Sequence, residues 1–342
     1  HLSGNRANIL RPFTETFADR TVLEIGAGCG AITRFLGESG AHVLALEGTA
    51  RRAAIARSRT RDLSNVTVLA DRFEDLSLPL RFDVVTLIGV LEYAPLFTKG
   101  EDPLVHMLLK ARDLLKPKGK LIVAIENQLG LKYLAGFPED HVGVPMYGIE
   151  GHYRRKEGTT FGRKTLGAIL KRAGFTHQSF MAPFPDYKFP LSIVTEQGFA
   201  CESFDAGALA WQSANRDPQK PGHLVFAPEL AWPVVAANGL SLDLANSFLI
   251  LAQTVQQPAS GPPVLAYHFS TANRLPAYCK QTVFRASSEG GIEVRYASLC
   301  KKTRQQTGKM VQFDLADRAD YVVGTSLAFE FITIMSRSGW TM

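Results

Sequence analysis

Hydrophobic and polar positions along the chain follow two periodicities that alternate. From residue 21 to about residue 195, short β-branched runs are followed by stretches of helical spacing, the pattern of a doubly wound sheet. Seven segments are predicted as strands: Thr21–Ile25, His42–Leu46, Val66–Leu69, Phe82–Ile88, Lys120–Glu126, Thr176–Ala182 and Leu191–Thr195. Four segments are predicted as helices: Ala31–Ser39, Thr49–Ser58, Pro103–Leu115 and Lys164–Ala173. Only a loop joins the last two strands, which predicts a terminal antiparallel hairpin.

The pattern changes after residue 198. Residues 211–233 are irregular and rich in proline, whereas residues 240–255 have the spacing of a helix. Three later segments have the composition of strands: residues 263–270, 278–286 and 292–299. We therefore expect one domain over residues 1–198 and a smaller α+β region of unknown role over residues 199–342. The chain has no initiator Met and stops within an apolar pattern, so we expect a piece of a longer polypeptide with a truncated second region.

The connection after the fifth predicted strand, residues 127–163, is too long for an ordinary strand-to-helix loop. It carries several histidines, tyrosines and glycines, and it follows the carboxyl end of a strand, where doubly wound folds bind their ligands. We predict that this segment is a functional lid.

The composition is that of an ordinary globular chain. Of its 342 residues, 46% are hydrophobic and 20% are charged, which argues against intrinsic disorder, and no run of 18 apolar residues predicts a transmembrane helix. The formal net charge of +6 is a mild bias that suits a phosphorylated or nucleic-acid partner without requiring one. The four cysteines are far apart and lack adjacent histidines, so we expect a reducing, cytoplasmic setting without a zinc site or a disulfide framework.

The first predicted strand runs directly into a glycine-rich loop, Gly26-Ala27-Gly28-Cys29-Gly30, and then into a helix. Glycines at alternate positions permit positive φ and let a ligand approach the backbone closely. The spacing is GxGxG and not the GxGxxG of dinucleotide-binding folds. Glu24, inside the strand, would repel a pyrophosphate and attract a cationic ligand. The segment therefore points away from NAD.

Acidic residues end the next two predicted strands. Glu47 follows the second strand, at the edge where a carboxylate can bind ribose hydroxyls, and Asp71 follows the third, where it can accept a hydrogen bond from an exocyclic adenine amine. Together with Glu24, these groups predict an adenosine pocket.

Taken in order over residues 20–197, these segments resemble class I S-adenosylmethionine-dependent methyltransferases. The resemblance implies a Rossmann-like α/β fold with a seven-stranded mixed sheet, and S-adenosylmethionine as the cofactor. In that family the glycine loop approaches the methionyl moiety, and the two acidic strand ends bind the ribose and the adenine amine. The cofactor-binding residues carried over to this chain are Glu24, Gly26, Ala27, Gly28, Gly30, Glu47, Asp71, Arg72, Gly89 and Val90. Asp83 and the turn before the fifth strand match the family as well.

Residues 125–133, 138–141 and 183–188 are similar to methyltransferase modules found with glycosyltransferases in bacterial surface-polysaccharide biosynthesis. This second resemblance implies O-methylation of a hydroxyl on a saccharide or on its lipid-linked or nucleotide-linked precursor. It also implies glycosyltransferase domains or subunits as partners.

A hydroxyl acceptor must lose its proton as it attacks the methyl carbon, so we expect a base near the carboxyl ends of the fourth and fifth strands. His141 is the first candidate, because adjoining carboxylates would raise its basicity, and His152 is the rival. Glu92 and Asn127 are candidates to orient the acceptor. Three tyrosines are candidates to stack on a sugar ring: Tyr93, Tyr133 and Tyr147.

A metal-assisted reaction would need clustered carboxylates near the fourth and fifth strands. Glu92, Glu126 and Asp140 could supply the oxygens, but no recognisable metal spacing appears, and no metal site is predicted.

Three alternatives remain open. The first is a nucleic-acid methyltransferase, suggested by arginines on and after the second helix: Arg51, Arg52, Arg57, Arg59 and Arg61. It is disfavoured because the chain lacks an obvious RNA-binding module and a base-flipping tetrapeptide. The others are a small-molecule methyltransferase and a catalytically silent cofactor-binding module of a larger polysaccharide-synthesis enzyme. Basic residues of the second region could contact a phosphorylated carrier: Arg274, Lys280, Lys301, Lys302 and Arg304.

Overall fold

The computed structural model describes residues 3–258, 261–271, 274–275, 278–287, 290–299, 318–319 and 321. Its strands are β1 Thr21–Ile25, β2 His42–Glu47, β3 Val66–Ala70, β4 Phe82–Ile88, β5 Leu115–Glu126, β6 His177–Phe184, β7 Ser192–Thr195, β8 Ser247–Gln253, β9 Val264–Ser270, β10 Lys280–Ala286, β11 Ile292–Ser298 and β12 Arg318–Ala319. Its α-helices are α1 Ala31–Glu38, α2 Ala50–Arg59, α3 Ala94–Phe97, α4 Pro103–Asp113, α5 Leu131–Leu134, α6 Arg163–Arg172, α7 Glu196–Ala200, α8 Ala206–Ala214 and α9 Pro228–Ala237. Three 3-10 helices cover Gly4–Ile9, Arg11–Thr16 and Leu91–Tyr93.

All twelve described strands belong to one sheet, in the order β12-β11-β10-β9-β7-β6-β8-β5-β4-β1-β2-β3. Strands β1 to β5 pair in parallel, with β1 between β2 and β4. Both β1 and β4 are buried along nearly their whole length, which is why they read as continuous apolar runs and not as alternating patterns. The predicted α/β class with a Rossmann-like mixed sheet is confirmed.

Strand β8 corrects the prediction for residues 240–255. This segment was expected to be a helix, but Ser247–Gln253 lies between β5 and β6 and pairs antiparallel with both. Five of its seven residues are buried, because the segment has sheet neighbours on both sides and core on both faces. Seven neighbouring strands of the twelve-stranded sheet, in the order β3-β2-β1-β4-β5-β8-β6, correspond to the predicted mixed sheet. The antiparallel strand among these seven, β8, comes from the second predicted region. The boundary expected near residue 198 does not coincide with a break in the sheet.

The predicted hairpin is confirmed as a pairing of β6 with β7, in which Met181 lies opposite Thr195. Strand β7 then continues the sheet outward, because it pairs antiparallel with β9. The antiparallel strands β9, β10 and β11 follow near the positions predicted for them.

Residues 211–233 are more regular than their proline content suggested. Helices α8 and α9 pack against each other, and Trp232 of α9 is buried with its ring centroid 5.1 Å from that of Phe184 in β6. Pro228 begins α9, where the missing backbone donor has no cost. Lys301, Lys302 and Arg304 lie outside the described residues. Within the part of the chain that the structure describes, no helix has the length and apolar character needed to cross a membrane.

Candidate cofactor and acceptor site

The glycine loop after β1 has the backbone shape expected of a ligand cradle. Gly26, Gly28 and Gly30 have φ of 78°, 56° and 77°, values that favour glycine. A Cβ on Gly26 would lie 2.5 Å from Cγ2 of Val90, and a Cβ on Gly30 would lie 2.8 Å from Cα of Ala56. At Gly28 a Cβ would meet nothing within 4 Å, so the middle of the loop faces open space.

Glu47, at the end of β2, is tied to this loop. Its Oε2 accepts a hydrogen bond from the Gly28 N–H at 2.8 Å, and its Oε1 accepts one from the Thr49 N–H at 2.9 Å. Arg52 lies over the same carboxylate, with Nε 3.0 Å from Oε1. Arg52 is one of the arginines that raised the nucleic-acid alternative, and its pairing with Glu47 was not predicted. A ribose hydroxyl would meet a carboxylate that is already oriented.

Asp71 and Gly89 mark the neighbouring strand ends. The Asp71 N–H donates to the Glu47 carbonyl at 3.2 Å, which places the two acidic residues side by side. Asp71 and Arg72 are both exposed, and the Arg72 N–H donates to Asp71 Oδ1 at 2.8 Å. Gly89 has φ of 68°, and a Cβ there would lie 2.6 Å from the hydroxyl oxygen of Tyr187.

Glu24 is buried at the base of the loop, and its Oε2 has no hydrogen-bond partner among the described residues. Burial raises the pKa of Glu24 to about 7, although the nearby hydroxyl of Thr33 opposes the increase. An anionic group beside the open glycine loop complements a cationic ligand. The cradle, the oriented carboxylate of Glu47 and the unpartnered oxygen of Glu24 therefore fit S-adenosylmethionine.

A second group of residues lies at the carboxyl ends of β4 and β5, and we call Glu92, Glu126, Glu139 and His141 the carboxylate cluster. His141 Nδ1 is 2.9 Å from Glu139 Oε1. His141 Nε2 is 3.9 Å from Glu92 Oε1 and 4.0 Å from Glu126 Oε2. Glu92 comes two residues after Val90, whose side chain lies against Gly26. The cluster therefore begins close to the cofactor loop. His141 and Glu92 were predicted for this edge of the sheet, and Glu139 is one of the adjoining carboxylates that were expected to act on His141.

The cluster favours a charged imidazole. Burial alone would lower the pKa of His141, but the hydrogen bond with Glu139 and the nearby carboxylates of Glu92 and Glu126 outweigh burial and raise the pKa to about 10. Burial raises the pKa of Glu92 to about 7 although His141 lies nearby and opposes the increase. Tyr93 lies beside the imidazole, with ring centroids 5.3 Å apart. In this arrangement His141 carries a proton at neutral pH, which does not favour the predicted role of general base.

Two buried lysines join the segment 127–163 to the loop after β6. Lys188 Nζ donates to Glu126 Oε1 at 2.5 Å and to Asp140 Oδ1 at 2.8 Å. Lys132 Nζ lies 2.9 Å from Asp140 Oδ2 and 3.0 Å from Asp186 Oδ2. These contacts connect the sequence segments 138–141 and 183–188, which were notable only through a family resemblance. Because Lys188 and Lys132 pair with the two oxygens of Asp140, Asp140 is not part of the carboxylate cluster.

Two predicted catalytic residues do not belong to the cluster. Asn127 is fully buried, and its amide donates to the carbonyls of Asp243 and Ala245 at 2.8 and 2.7 Å, while its Oδ1 accepts from the Leu129 N–H. Its amide hydrogens therefore hold the segment before β8, and its oxygen holds the turn at Leu129, so the side chain is committed to backbone groups. The side chain of His152 is 56% exposed and 2.6 Å from the exposed carboxylate of Glu150.

The tyrosines predicted to stack on a sugar differ in exposure. Tyr133 is buried and donates its hydroxyl to Asp140, so it is part of the core. Tyr147 hydrogen bonds to Glu157 at 2.8 Å, and Tyr93 is half-buried beside His141. Tyr153, which was not predicted, donates to Glu139 Oε1 at 3.2 Å.

Residues 23–121 match a family described as "Methyltransferase domain". Among solved structures, the chain is similar to the N-methyltransferase NodS from Bradyrhizobium japonicum WM9 in complex with S-adenosyl-L-homocysteine, at 21% identity over 36% of this chain and 61% of that chain, with a TM-score of 0.33. It is similar to an S-adenosylmethionine-dependent methyltransferase from Mesorhizobium loti, at 18% identity over 72% of this chain and 97% of that chain, with a TM-score of 0.42. The chain therefore spans less than two thirds of the NodS chain.

The glycine loop and the acidic strand ends lie within the residues that match this methyltransferase domain.

Proposed function

We propose that this protein transfers the methyl group of S-adenosylmethionine to a hydroxyl oxygen of a saccharide or of a saccharide precursor. The observation that carries the proposal is the carboxylate cluster at the ends of β4 and β5, next to the cofactor loop. Carboxylates accept hydrogen bonds from the many hydroxyls of a sugar, and they repel phosphodiester backbones. This supports a small hydroxylated acceptor over a nucleic acid.

The cofactor supplies an electrophilic methyl group when it is bound. The open face at Gly28 would admit the methionyl part, Glu47 would bind the ribose, and Asp71 would bind the adenine amine. Glu24 would balance the positive charge of the cofactor. Because these groups are fixed by the strand ends, the cofactor would be held in one orientation.

Glu92 would receive the proton of the acceptor hydroxyl, and His141, which carries a proton at neutral pH, would orient that hydroxyl. Both are buried, so the acceptor would react in an environment from which most water is excluded. Holding two reactants in line can supply about 7–11 kcal/mol of barrier reduction, so positioning by the segment 127–163 would provide most of the rate.

The test has two stages. Calorimetry with S-adenosylhomocysteine measures cofactor binding, and preferential binding of NAD would reject the cofactor assignment. A saccharide pool from a bacterium with methylated surface sugars is then incubated with isotopically labelled S-adenosylmethionine. We expect label in saccharide methyl ethers. Label found in RNA or in amines instead would reject the acceptor class.

His141→Ala tests the role of the cluster, with His152→Ala as the matched control on the same segment. We expect His141→Ala to keep its affinity for S-adenosylhomocysteine while turnover falls by about 10²-fold, the scale of a reactant that is no longer held in position. The control should retain its turnover, because His152 is exposed and outside the cluster. Normal turnover in His141→Ala would remove His141 from the proposed reaction.

A further inference from the structure

Three ligand-type atoms face one another within the carboxylate cluster. Nε2 of His141 and carboxylate oxygens of Glu92 and Glu126 all lie within 4.8 Å of one another. We propose that these three residues bind a divalent metal ion of the Mn²⁺ or Zn²⁺ type. Such ions accept both carboxylate oxygens and an imidazole nitrogen, whereas Mg²⁺ and Ca²⁺ favour oxygen alone.

The distances suit one shared ion. Two ligands that are each about 2.1 Å from an ion are separated by about 3.0–4.2 Å, depending on the angle at the metal. The separations from His141 Nε2 are 3.9 Å to Glu92 and 4.0 Å to Glu126. Movements of tenths of an ångström would bring all three atoms to bonding distance.

Unpartnered oxygens point to a missing ligand. Glu92 Oε2 and Glu126 Oε2 have no hydrogen-bond partner among the described residues, although both residues are only 1% exposed. Buried carboxylate oxygens are costly unless they are paired, protonated or bound to a metal. Lys188 occupies the other oxygen of Glu126, Oε1, and so leaves Oε2 directed toward His141.

The imidazole is oriented in the way that metal-binding histidines are. His141 Nδ1 is 2.9 Å from Glu139 Oε1, and Nε2, the atom that a metal ion would take in place of a proton, faces the carboxylates of Glu92 and Glu126. Glu139 is itself fixed, because its Oε2 accepts from the backbone N–H groups of His141 and Val142, both at 2.7 Å. A carboxylate behind the imidazole commonly fixes the tautomer of a histidine ligand.

This site deepens the proposed function and rests on it for its role. An ion at the ends of β4 and β5 would take the acceptor hydroxyl as a further ligand and lower the pKa of that hydroxyl, which assists its deprotonation.

The test uses the metal alone, without cofactor or acceptor. The full chain is freed of metals with EDTA and titrated with MnCl₂, with free Mn²⁺ measured by electron paramagnetic resonance, and ZnCl₂ is titrated by calorimetry. We expect one site per chain. Glu92→Gln and His141→Ala should each weaken binding by at least about tenfold, and Glu139→Gln should weaken it by about 10–100-fold, as loss of an orienting partner does.

Glu150→Gln and His152→Ala are matched controls, because they change the same residue types on the same segment outside the cluster. Circular dichroism establishes whether each variant is folded. If either Glu92→Gln or His141→Ala does not fold, the other variant still tests the site. Absence of a stoichiometric site for both ions, or equal affinities in the cluster variants and the controls, would overturn the proposal. A chain that binds S-adenosylhomocysteine but no ion would overturn the metal site and leave methyl transfer in place.

Discussion

At the scale of single residues, Glu47 joins two parts of the cofactor site. Its carboxylate accepts one hydrogen bond from the glycine loop and one from the turn that follows β2. These bonds fix the distance between the end of β2 and Gly28. Glu47 therefore shapes the loop as well as offering an acceptor to a ribose.

Glu47→Ala should weaken the binding of S-adenosylhomocysteine by about 1–3 kcal/mol, the range for a lost charge-assisted hydrogen bond in a buried site. Calorimetry measures the change. Glu101→Ala, which removes an exposed carboxylate away from the loop, is the control and should bind as the unchanged protein does. An unaltered affinity in a folded Glu47→Ala chain would show that Glu47 does not contact the ribose.

Asp83 holds the starts of three neighbouring strands. Its Oδ2 accepts from the Thr21 N–H at 2.9 Å, from the Thr21 hydroxyl at 2.8 Å and from Lys116 Nζ at 2.8 Å. Burial alone would raise the pKa of Asp83, but the bonds with Lys116 and Thr21 outweigh burial and lower the pKa to about 2. The ionised carboxylate therefore stabilises the folded state.

Asp83→Asn should lower the free energy of unfolding at pH 7 by about 1 kcal/mol, after allowance for solvent screening at a partly exposed site. Because the folded-state pKa is below the ordinary value of 3.8, this stabilisation is complete above about pH 5 and is lost as the pH falls toward 2. Urea unfolding of both proteins between pH 7 and pH 2.5 measures it. Asp113→Asn, at an exposed position, should show no such convergence, and a pH-independent difference for Asp83→Asn would contradict the assignment.

The residues of the carboxylate cluster show which part of a site local sequence reveals. Glu92 and Glu126 follow or end apolar strands, so strand prediction placed both at one edge of the sheet. Lys188 could not be placed in the same way, because 62 residues separate it from Glu126 and their contact depends on the path of the chain after β6. Asn127 was misread because its position at a strand end does not reveal that its amide is used by Asp243 and Ala245.

At the scale of secondary structure, β8 is the element on which the two halves of the sheet depend. It pairs residue by residue with β5 from Leu121 to Glu126 and with β6 from His177 to Met181. Ile250 is fully buried and lies opposite Val123 on one side and Phe180 on the other.

Ile250→Ala should lower the free energy of unfolding by about 2–5 kcal/mol, the range for truncating a large buried side chain in a packed core. Val255→Ala is the comparison, because it shortens a β-branched side chain that is 51% exposed just beyond the strand. Its effect should stay within about 0.5 kcal/mol. Denaturant titration followed by circular dichroism gives both values, and similar effects for the two variants would mean that β8 is not held in the core.

Strands β1 to β4 and helices α1, α2, α4 and α6 lie within a residue or two of their predicted bounds, because each has a clear apolar pattern that ends at a polar or glycine turn. For residues 240–255 the apolar pattern predicted a helix where the structure has strand β8. A strand that is buried on both faces gives an unbroken apolar run, and such a run has the same composition as a buried helix. Glu126 lies opposite Ser247, 121 residues later, and the Asn127 N–H donates to the carbonyl of Asn246, 119 residues later, so no local signal identified these partners.

At the scale of the whole molecule, the residues before position 198 and those after it are joined by hydrogen bonds and ion pairs. Asn127 binds backbone carbonyls just before β8, and Arg163 forms a bidentate pair with Asp243, at 2.7 and 3.0 Å. Lys132 of the segment 127–163 also lies 3.8 Å from Asp217. The segment 127–163, which carries His141, is therefore held by contacts with residues after position 198 as well as with residues before it.

A chain ended at residue 198 should not fold as the full chain does. Without β8, strands β5 and β6 lose the strand that lies between them. The backbone groups that face β8, from Leu121 to Glu126 and from His177 to Met181, then lose their hydrogen-bond partners. We expect the shortened chain to lack a cooperative thermal transition and to bind no S-adenosylhomocysteine. A chain ended at residue 258 keeps β8 and should retain both properties. Cooperative unfolding and full cofactor affinity in the 1–198 chain would show that this part is an independent domain, as its sequence pattern suggested.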